Sequence, residues 1–355
     1  MSFIERYIWK NVLLSILITW LSLTMLDSFF AFLGELGDVS ADTRYGNLQA
    51  FLYILMGAPK RLYDYFPTAT LIGSLLGLGN LAANSELTAM RAAGISIRQI
   101  VLMTMKLGLA LVVLVFVLGE WVAPRTEFAA SSFKLQMQQK QLAVSEQGLW
   151  IKDGQRILNI RKLWSEKRLE GISIYRINLQ EGRIDTITRA ASADHDGQGW
   201  MMRDVQKQTI RADGVTNEKY AELRQDDLVP RQVLTIAAVK PNQLAAKELS
   251  EFIQHQRAND LSSSRFEQAF WQHFTIPLST LVMLVIAAPF VFSFQRNAGA
   301  GQRIFIGIII GISFFLLNRI LGNVGLVYGI PPLLSATLPL LLFLAGGLWM
   351  LRRVR

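Results

Sequence analysis

Long apolar runs alternate along the chain with short polar turns and one extended polar stretch. Runs of about 20 apolar residues are the length a bilayer demands of a helix. Six such spans are predicted, at roughly 11–34, 60–82, 97–120, 270–292, 303–325 and 333–351. The first, Val12 to Leu33, follows Arg6 and Lys10 and is too long for the apolar core of a cleaved signal peptide, so it is expected to stay as a membrane helix. Residues 45–58 are also apolar but are closed by Pro59, Lys60 and Arg61. They are expected to form a separate amphipathic helix outside the cytoplasm, with the second span starting near Arg61.

The pattern changes over about 140–245, between the third and fourth spans. GLWIKDGQRILNI carries a DG turn between two apolar-rich runs. ISIYRINL, RIDTITRA and WMMRDVQKQTIRAD come next, with HDGQG as another turn. This predicts a small β-domain inserted between helices 3 and 4. KELSEFIQHQRAND then predicts a polar helix leading back to the membrane. No long Gly- or Pro-rich linker separates the parts, so the β-domain is expected to be coupled to the helices. The expected fold class is an α-helical membrane protein of six transmembrane helices with this inserted domain. Its expected divisions are 1–135, 136–247 and 248–355.

Charge orients the chain. An even number of spans puts both termini on one side, where Arg6, Lys10, Arg91, Arg98, Arg296, Arg303, Arg352, Arg353 and Arg355 all fall. The positive-inside rule makes that side the cytoplasm and places the β-domain outside it. Lys60 and Arg61 fall on the outer side and need another explanation. Composition narrows the chemistry. With 51% hydrophobic residues the chain does not read as soluble, and with no cysteine it has neither disulfides nor thiolate metal sites. His195, His255 and His273 lie far apart and are expected to be solvated or satisfied by neighbours. No phosphate-cradling loop occurs; NAGAGQR comes after a membrane span, where a tight turn explains it. No Ser/His/Asp constellation stands out. Nothing argues for an enzyme, a cofactor bound by this chain, or a nucleic-acid partner.

Several positions carry two readings. GSLLG (Gly73–Gly77) and GIIIG (Gly307–Gly311) let helix backbones approach closely, either within the chain or against a partner subunit. Asp27 lies about 25 Å along the first helix from Lys10, a depth that favours a solvated interfacial carboxylate over an ion path at the bilayer centre. In NSELTAMRAAG, Asn84 or Ser85 can cap a short helix, Glu86 suits its positive end, Leu87 and Met90 share a face, and Gly94 can terminate it. That helix is either an ordinary surface turn or a docking element for a cytoplasmic partner.

NSELTAMRAAG, GEWVAP, LWIKDG, GISIY and LVYGIPPLL together resemble the lipopolysaccharide export permeases, LptF and LptG, nearly end to end. GEWVAP, GISIY and VYGIPP favour the LptG branch. The resemblance implies six transmembrane helices with a periplasmic β-jellyroll, and a pairing with an LptF-type permease around a cavity for lipopolysaccharide. It implies two copies of an LptB-type ATPase that binds ATP-Mg, a single-span LptC-type protein and an LptA-type periplasmic bridge. It makes NSELTAMRAAG a coupling helix, with Glu86, Leu87, Met90 and Arg91 facing the ATPase. Members of the family carry lysines after the first span, whereas this chain has Glu35 and Asp38 there.

By the same resemblance, Lys60 and Lys134 match basic positions of the family near the cavity mouth. Arg61, Arg44 and Arg319 are expected to join them as phosphate ligands. Arg319 lies sixteen positions after Arg303, about 24 Å along its helix. It can face the cavity, snorkel to the interface, or pair with Asp27. Trp150, Ile151, Ile172, Ile174 and Tyr175 are candidates for the wall of a cargo path through the β-domain, or for its packed core. The rival functions are an ion-coupled secondary transporter, which needs midplane ionisable residues, and a membrane-anchored assembly factor.

Overall fold

The computed structural model describes residues 3–39, 44–138, 148–165, 168–178, 183–197, 199–211, 214–226, 228, 241–293 and 299–353. Arg296, Arg355 and Gln198 of the second turn motif lie outside them. The helices are α1 (Phe3–Glu35), α2 (Asn47–Met56), α3 (Ala58–Ala83), α4 (Glu86–Ala92), α5 (Ile97–Val117), α6 (Ala123–Met137), α7 (Ala246–Ala258), α8 (Ser264–Ser293), α9 (Ala300–Tyr328) and α10 (Pro332–Arg353). Six helical segments are long and apolar enough to cross a membrane, built on α1, α3, α5 with α6, α8, α9 and α10. Gly57 separates α2 from α3, so the break expected near Pro59 is present.

Helices α3 and α8 are the centre of the bundle and most of their apolar windows are buried. Helix α3 packs on α1, α8 and α9, and α8 packs on α3, α5 and α10. The small-residue motifs explain the closest of these approaches. A Cβ at Gly73 would lie 2.4 Å from the Ile16 Cα, and one at Gly77 would lie 2.9 Å from the Val12 Cα. On the other side of α3, Gly307 faces Ile72 and Gly311 faces Thr68. Both motifs are therefore seams inside the chain, with α3 gripped between α1 and α9. Two indoles cross-brace α1: Trp20 Nε1 donates to the Leu62 carbonyl at 2.7 Å, and Trp9 Nε1 to the Met103 carbonyl at 2.8 Å.

Span three runs past its expected end at residue 120. A π-helical turn, Leu118–Val122, joins α5 to α6. Such a turn holds one residue more than an α-turn and rotates the facing of the helix beyond it. It lays Gly119 flat on the Tyr63 ring, where a Cβ would sit 2.2 Å from a ring carbon, and it aims Glu120 at the start of α7.

The inserted domain is one antiparallel sheet of β1 (Leu149–Asp153), β2 (Arg156–Ser165), β3 (Arg168–Asn178), β4 (Arg183–His195), β5 (Trp200–Arg211) and β6 (Gly214–Gln225), each paired with the next. The DG turn joins β1 to β2, with Gly154 at a φ of 58°, and Gly197 at 105° closes the turn from β4 to β5. Leu158, Ile160, Ile172, Trp200 and Met202 form one face of the sheet, and Leu244, Leu249, Phe252 and Ala269 from α7, α8 and the turn before them complete that core. Polar contacts fasten it: Asn259, just past α7, accepts the Gly154 N–H through its side chain at 2.6 Å and the Lys152 ammonium through its carbonyl at 2.8 Å. The sheet is bonded to the root of a membrane helix, as the lack of a long linker leads one to expect.

Candidate functional site

Two clusters flank the bundle, and the sheet supplies a third surface. At the end away from the sheet, α4 forms where NSELTAMRAAG predicts a helix. Its start differs from expectation. Ser85 adopts the left-handed region at a φ of 60° and makes no capping bond, because the tight exit from α3 leaves no extended residue there. Its end matches. Gly94 has a φ of 90°, its N–H reaches the Arg91 carbonyl, and the Ile95 N–H reaches the Met90 carbonyl, both at 3.0 Å, a Schellman termination. The next helix starts on a capping box in which Ser96 and Gln99 exchange bonds. Glu86 is half-buried, with the Tyr7 hydroxyl of α1 beside its carboxylate.

Leu87 is fully buried in the core of the bundle, and Met90 packs against the same core. The expectation that Leu87 faces the ATPase is corrected here: its side chain is consumed in holding this short helix to its own bundle, while Met90 stays partly exposed. What α4 turns outward is Thr88, Ala89, Arg91 and Ala92.

At the sheet-bearing end, three of the predicted cations, Lys134, Arg61 and Lys60, already have partners. Lys134 on α6 pairs with Glu35 at the end of α1 and, at 2.8 Å, with Asp38 on the 3-10 turn Leu36–Asp38. Its ammonium lies 5.1 Å from the Tyr53 ring centre and 5.9 Å from that of Tyr45. The Tyr45 hydroxyl donates to Glu35 at 2.8 Å. Burial, then that bond, holds the Tyr45 phenol protonated above its ordinary range, and burial does the same at Tyr53. Arg61 pairs with Asp27 at 3.1 Å and donates to the Ile54 carbonyl at 3.1 Å. Asp27 also accepts the Tyr65 hydroxyl at 2.7 Å. Asp27 is thus a partnered carboxylate on the α1–α3 seam and not a merely solvated one. Lys60 pairs with Asp64 at 2.5 Å, one helical turn on.

Arg44 and Arg319 are exposed and make no ion pair among the described residues. Lys134 and Arg61 are drawn together around Tyr53. Arg319 sits apart on α9, and its alternative partner Asp27 is taken by Arg61.

The five sheet candidates divide between two faces. Ile151, Ile172 and Ile174 lie in the core that α7 covers. Trp150, 55% exposed, stacks on Tyr175 on the opposite, open face, with ring centres 6.1 Å apart.

A family model described as "Lipopolysaccharide export system permease LptF/LptG" matches residues 6–353. The chain is 34% identical over 355 residues to the lipopolysaccharide export system permease protein LptG of Haemophilus influenzae, covering 99% of each chain. It is also 34% identical over 360 residues to the protein of that name from Escherichia coli K12, covering 99% of this chain and 98% of the relative. The chain belongs to the LptF/LptG family of lipopolysaccharide export permeases.

Membership in this permease family and the six apolar helices make it a multi-pass inner-membrane protein. Sequence reasoning missed one joint of this permease. Glu120, within GEWVAP, accepts the Ala246 N–H at 3.0 Å at the first turn of α7 and lies 3.5 Å from His273 Nδ1 on α8. The other ring nitrogen of His273 faces the Leu244 carbonyl at 3.0 Å. The motif was visible, but its partner Ala246 lies 126 positions downstream, and only the fold brings the two together.

Proposed function

We propose that the chain is the transmembrane permease subunit of an ATP-driven exporter that lifts lipopolysaccharide from the outer leaflet of the inner membrane toward a periplasmic bridge. The observation that carries this reading is the end-to-end family likeness, which spans both the helical bundle and the inserted sheet. In this reading both termini and α4 are cytoplasmic and the sheet is periplasmic. Helix α4 docks on an LptB-type ATPase, which alone binds ATP-Mg. Thr88, Ala89 and Arg91 make the contact, and Glu86 meets a basic residue at its edge. An LptF-type permease completes the cavity, and LptC-type and LptA-type proteins continue the path. The apolar faces that α1, α9 and α10 leave exposed meet lipid, acyl chains and the second permease.

Lys60, Arg61, Lys134, Arg44 and Arg319 form the basic mouth for the cargo's phosphates. Arg44 and Arg319, with no carboxylate on them among the described residues, are the most available of them, and a planar guanidinium suits bidentate binding of a phosphate. The geometry disfavours a secondary transporter. The ion pairs Asp27–Arg61 and Glu5–Lys106 are closed pairs and supply no carboxylate chain along a midplane path among the described residues. Purification of the chain with its partners tests the proposal. A soluble ATPase is expected to co-purify, with hydrolysis that responds to added lipopolysaccharide. A chain that purifies without an ATPase and transports with an ion gradient would overturn it.

A further inference from the structure

The basic mouth contains an arrangement that its cargo role does not explain: one of its enclosed cations, Lys134, is held by two carboxylates. One ammonium against Glu35 and Asp38 leaves a cluster with net negative charge, which repels an arriving anion. The two carboxylates are not equivalent. Glu35 has a side chain 11% exposed and is fixed by the Tyr45 hydroxyl at 2.8 Å. Asp38 has a side chain 54% exposed and rides on a three-residue turn beyond the end of α1. The Tyr53 and Tyr45 rings confine the ammonium itself.

We infer that Glu35 and Asp38 are specificity-determining residues that stand in for phosphate on Lys134, so that only an amphiphile bearing phosphate monoesters displaces Asp38 and ordinary phosphodiester lipids are refused. The inference rests on the reading of Lys134 as a phosphate seat. A phosphodiester headgroup carries one negative charge, the same as the carboxylate it must replace, and Asp38 competes from within the same chain at high effective concentration. A phosphate monoester carries a charge of about −1.5 to −2 and three acceptor oxygens, enough to exchange for Asp38 on an ammonium with three donors. Rejection of the wrong lipid comes from a built-in competitor, which is how specificity exceeds affinity. When the exchange occurs, Glu35 stays on Tyr45 and Asp38 turns out to solvent.

The test uses the complete permease–ATPase complex in nanodiscs of phosphatidylethanolamine and phosphatidylglycerol, supplied with intact or chemically dephosphorylated lipopolysaccharide. Bound lipids are quantified by mass spectrometry. The native complex is expected to prefer intact lipopolysaccharide and to lose that preference after dephosphorylation. Asp38→Asn, which keeps shape and removes charge, should admit phosphatidylglycerol and lower the lipopolysaccharide-to-phosphatidylglycerol ratio by about tenfold. Glu35→Gln should act in the same direction, and Lys134→Gln should lower lipopolysaccharide binding and abolish the effect of Asp38→Asn. If both carboxylate variants assemble and leave the ratio unchanged while Lys134→Gln lowers binding, the selectivity inference is overturned and the phosphate seat stands. If Lys134→Gln binds lipopolysaccharide normally, Lys134 is not a seat and both fall.

Discussion

The Glu120 carboxylate and the Ala246 backbone N–H meet at 3.0 Å across 126 positions of sequence, so the π-helical turn of span three caps the helix on which the sheet is built. The same oxygen lies 3.5 Å from His273 of α8. Two membrane helices and the inserted domain are thereby joined at one carboxylate.

Removing that acceptor should loosen the sheet from the bundle. Glu120→Ala strands the helix N-terminus and is expected to cost about 1–3 kcal/mol. Thermal unfolding of the purified complex and protease sensitivity between α6 and α7 would report it. Glu120→Gln keeps an acceptor and should recover most of the loss. Equal behaviour of both variants and the native chain would refute the joint.

The seam between α1 and α3 makes a sharper prediction. Gly73→Ala drives a methyl group into the Ile16 backbone, and backbone cannot yield as a side-chain end can. The expected cost is about 1–3 kcal/mol or more, seen as lost monodisperse protein in size-exclusion chromatography. Gly346→Ala on α10 meets nothing within 4 Å and should behave as the native chain does. Tolerance of both would mean that the helices do not touch at Gly73.

On α4, burial separates folding from docking. Leu87→Ala should destabilise the chain itself by about 2–5 kcal/mol, because it empties a filled core position. Ala89→Arg and Arg91→Glu lie outward and should leave the fold intact while reducing ATPase co-purification. Glu86→Lys should uncouple ATP hydrolysis from lipopolysaccharide release. An ATPase that stays bound with Ala89→Arg would place the contact elsewhere.

The sheet offers a test of which face carries cargo. Photoreactive residues at Trp150 and Tyr175 are expected to label lipopolysaccharide in an ATP-dependent way. Those at Ile172 and Ile174 should label α7, which covers them. Cargo labelling at Ile172 with none at Trp150 would show that α7 lifts off and that the covered face is the path.

Much of this protein was written locally in its sequence. A bilayer admits few solutions to backbone hydrogen bonding, so six apolar runs meant six helices before any contact was known. The DG and HDGQG turns, the break before α3 and the glycine that ends α4 likewise result from chemistry between near neighbours. The features that escaped were non-local or lacked a pattern. Strand β6 is exposed along nearly its whole length, so no alternation marked it. The π-turn has no compositional signature, and Glu120 looked like any charge near a membrane end. The sequence showed the cations and carboxylates of the mouth but not that Lys134 sits between Glu35 and Asp38 while Arg61 takes Asp27. Pairing is decided by which helix ends the packing of α1, α3 and α6 brings within about 4 Å, where charges interact strongly. Only the tertiary structure sets those distances.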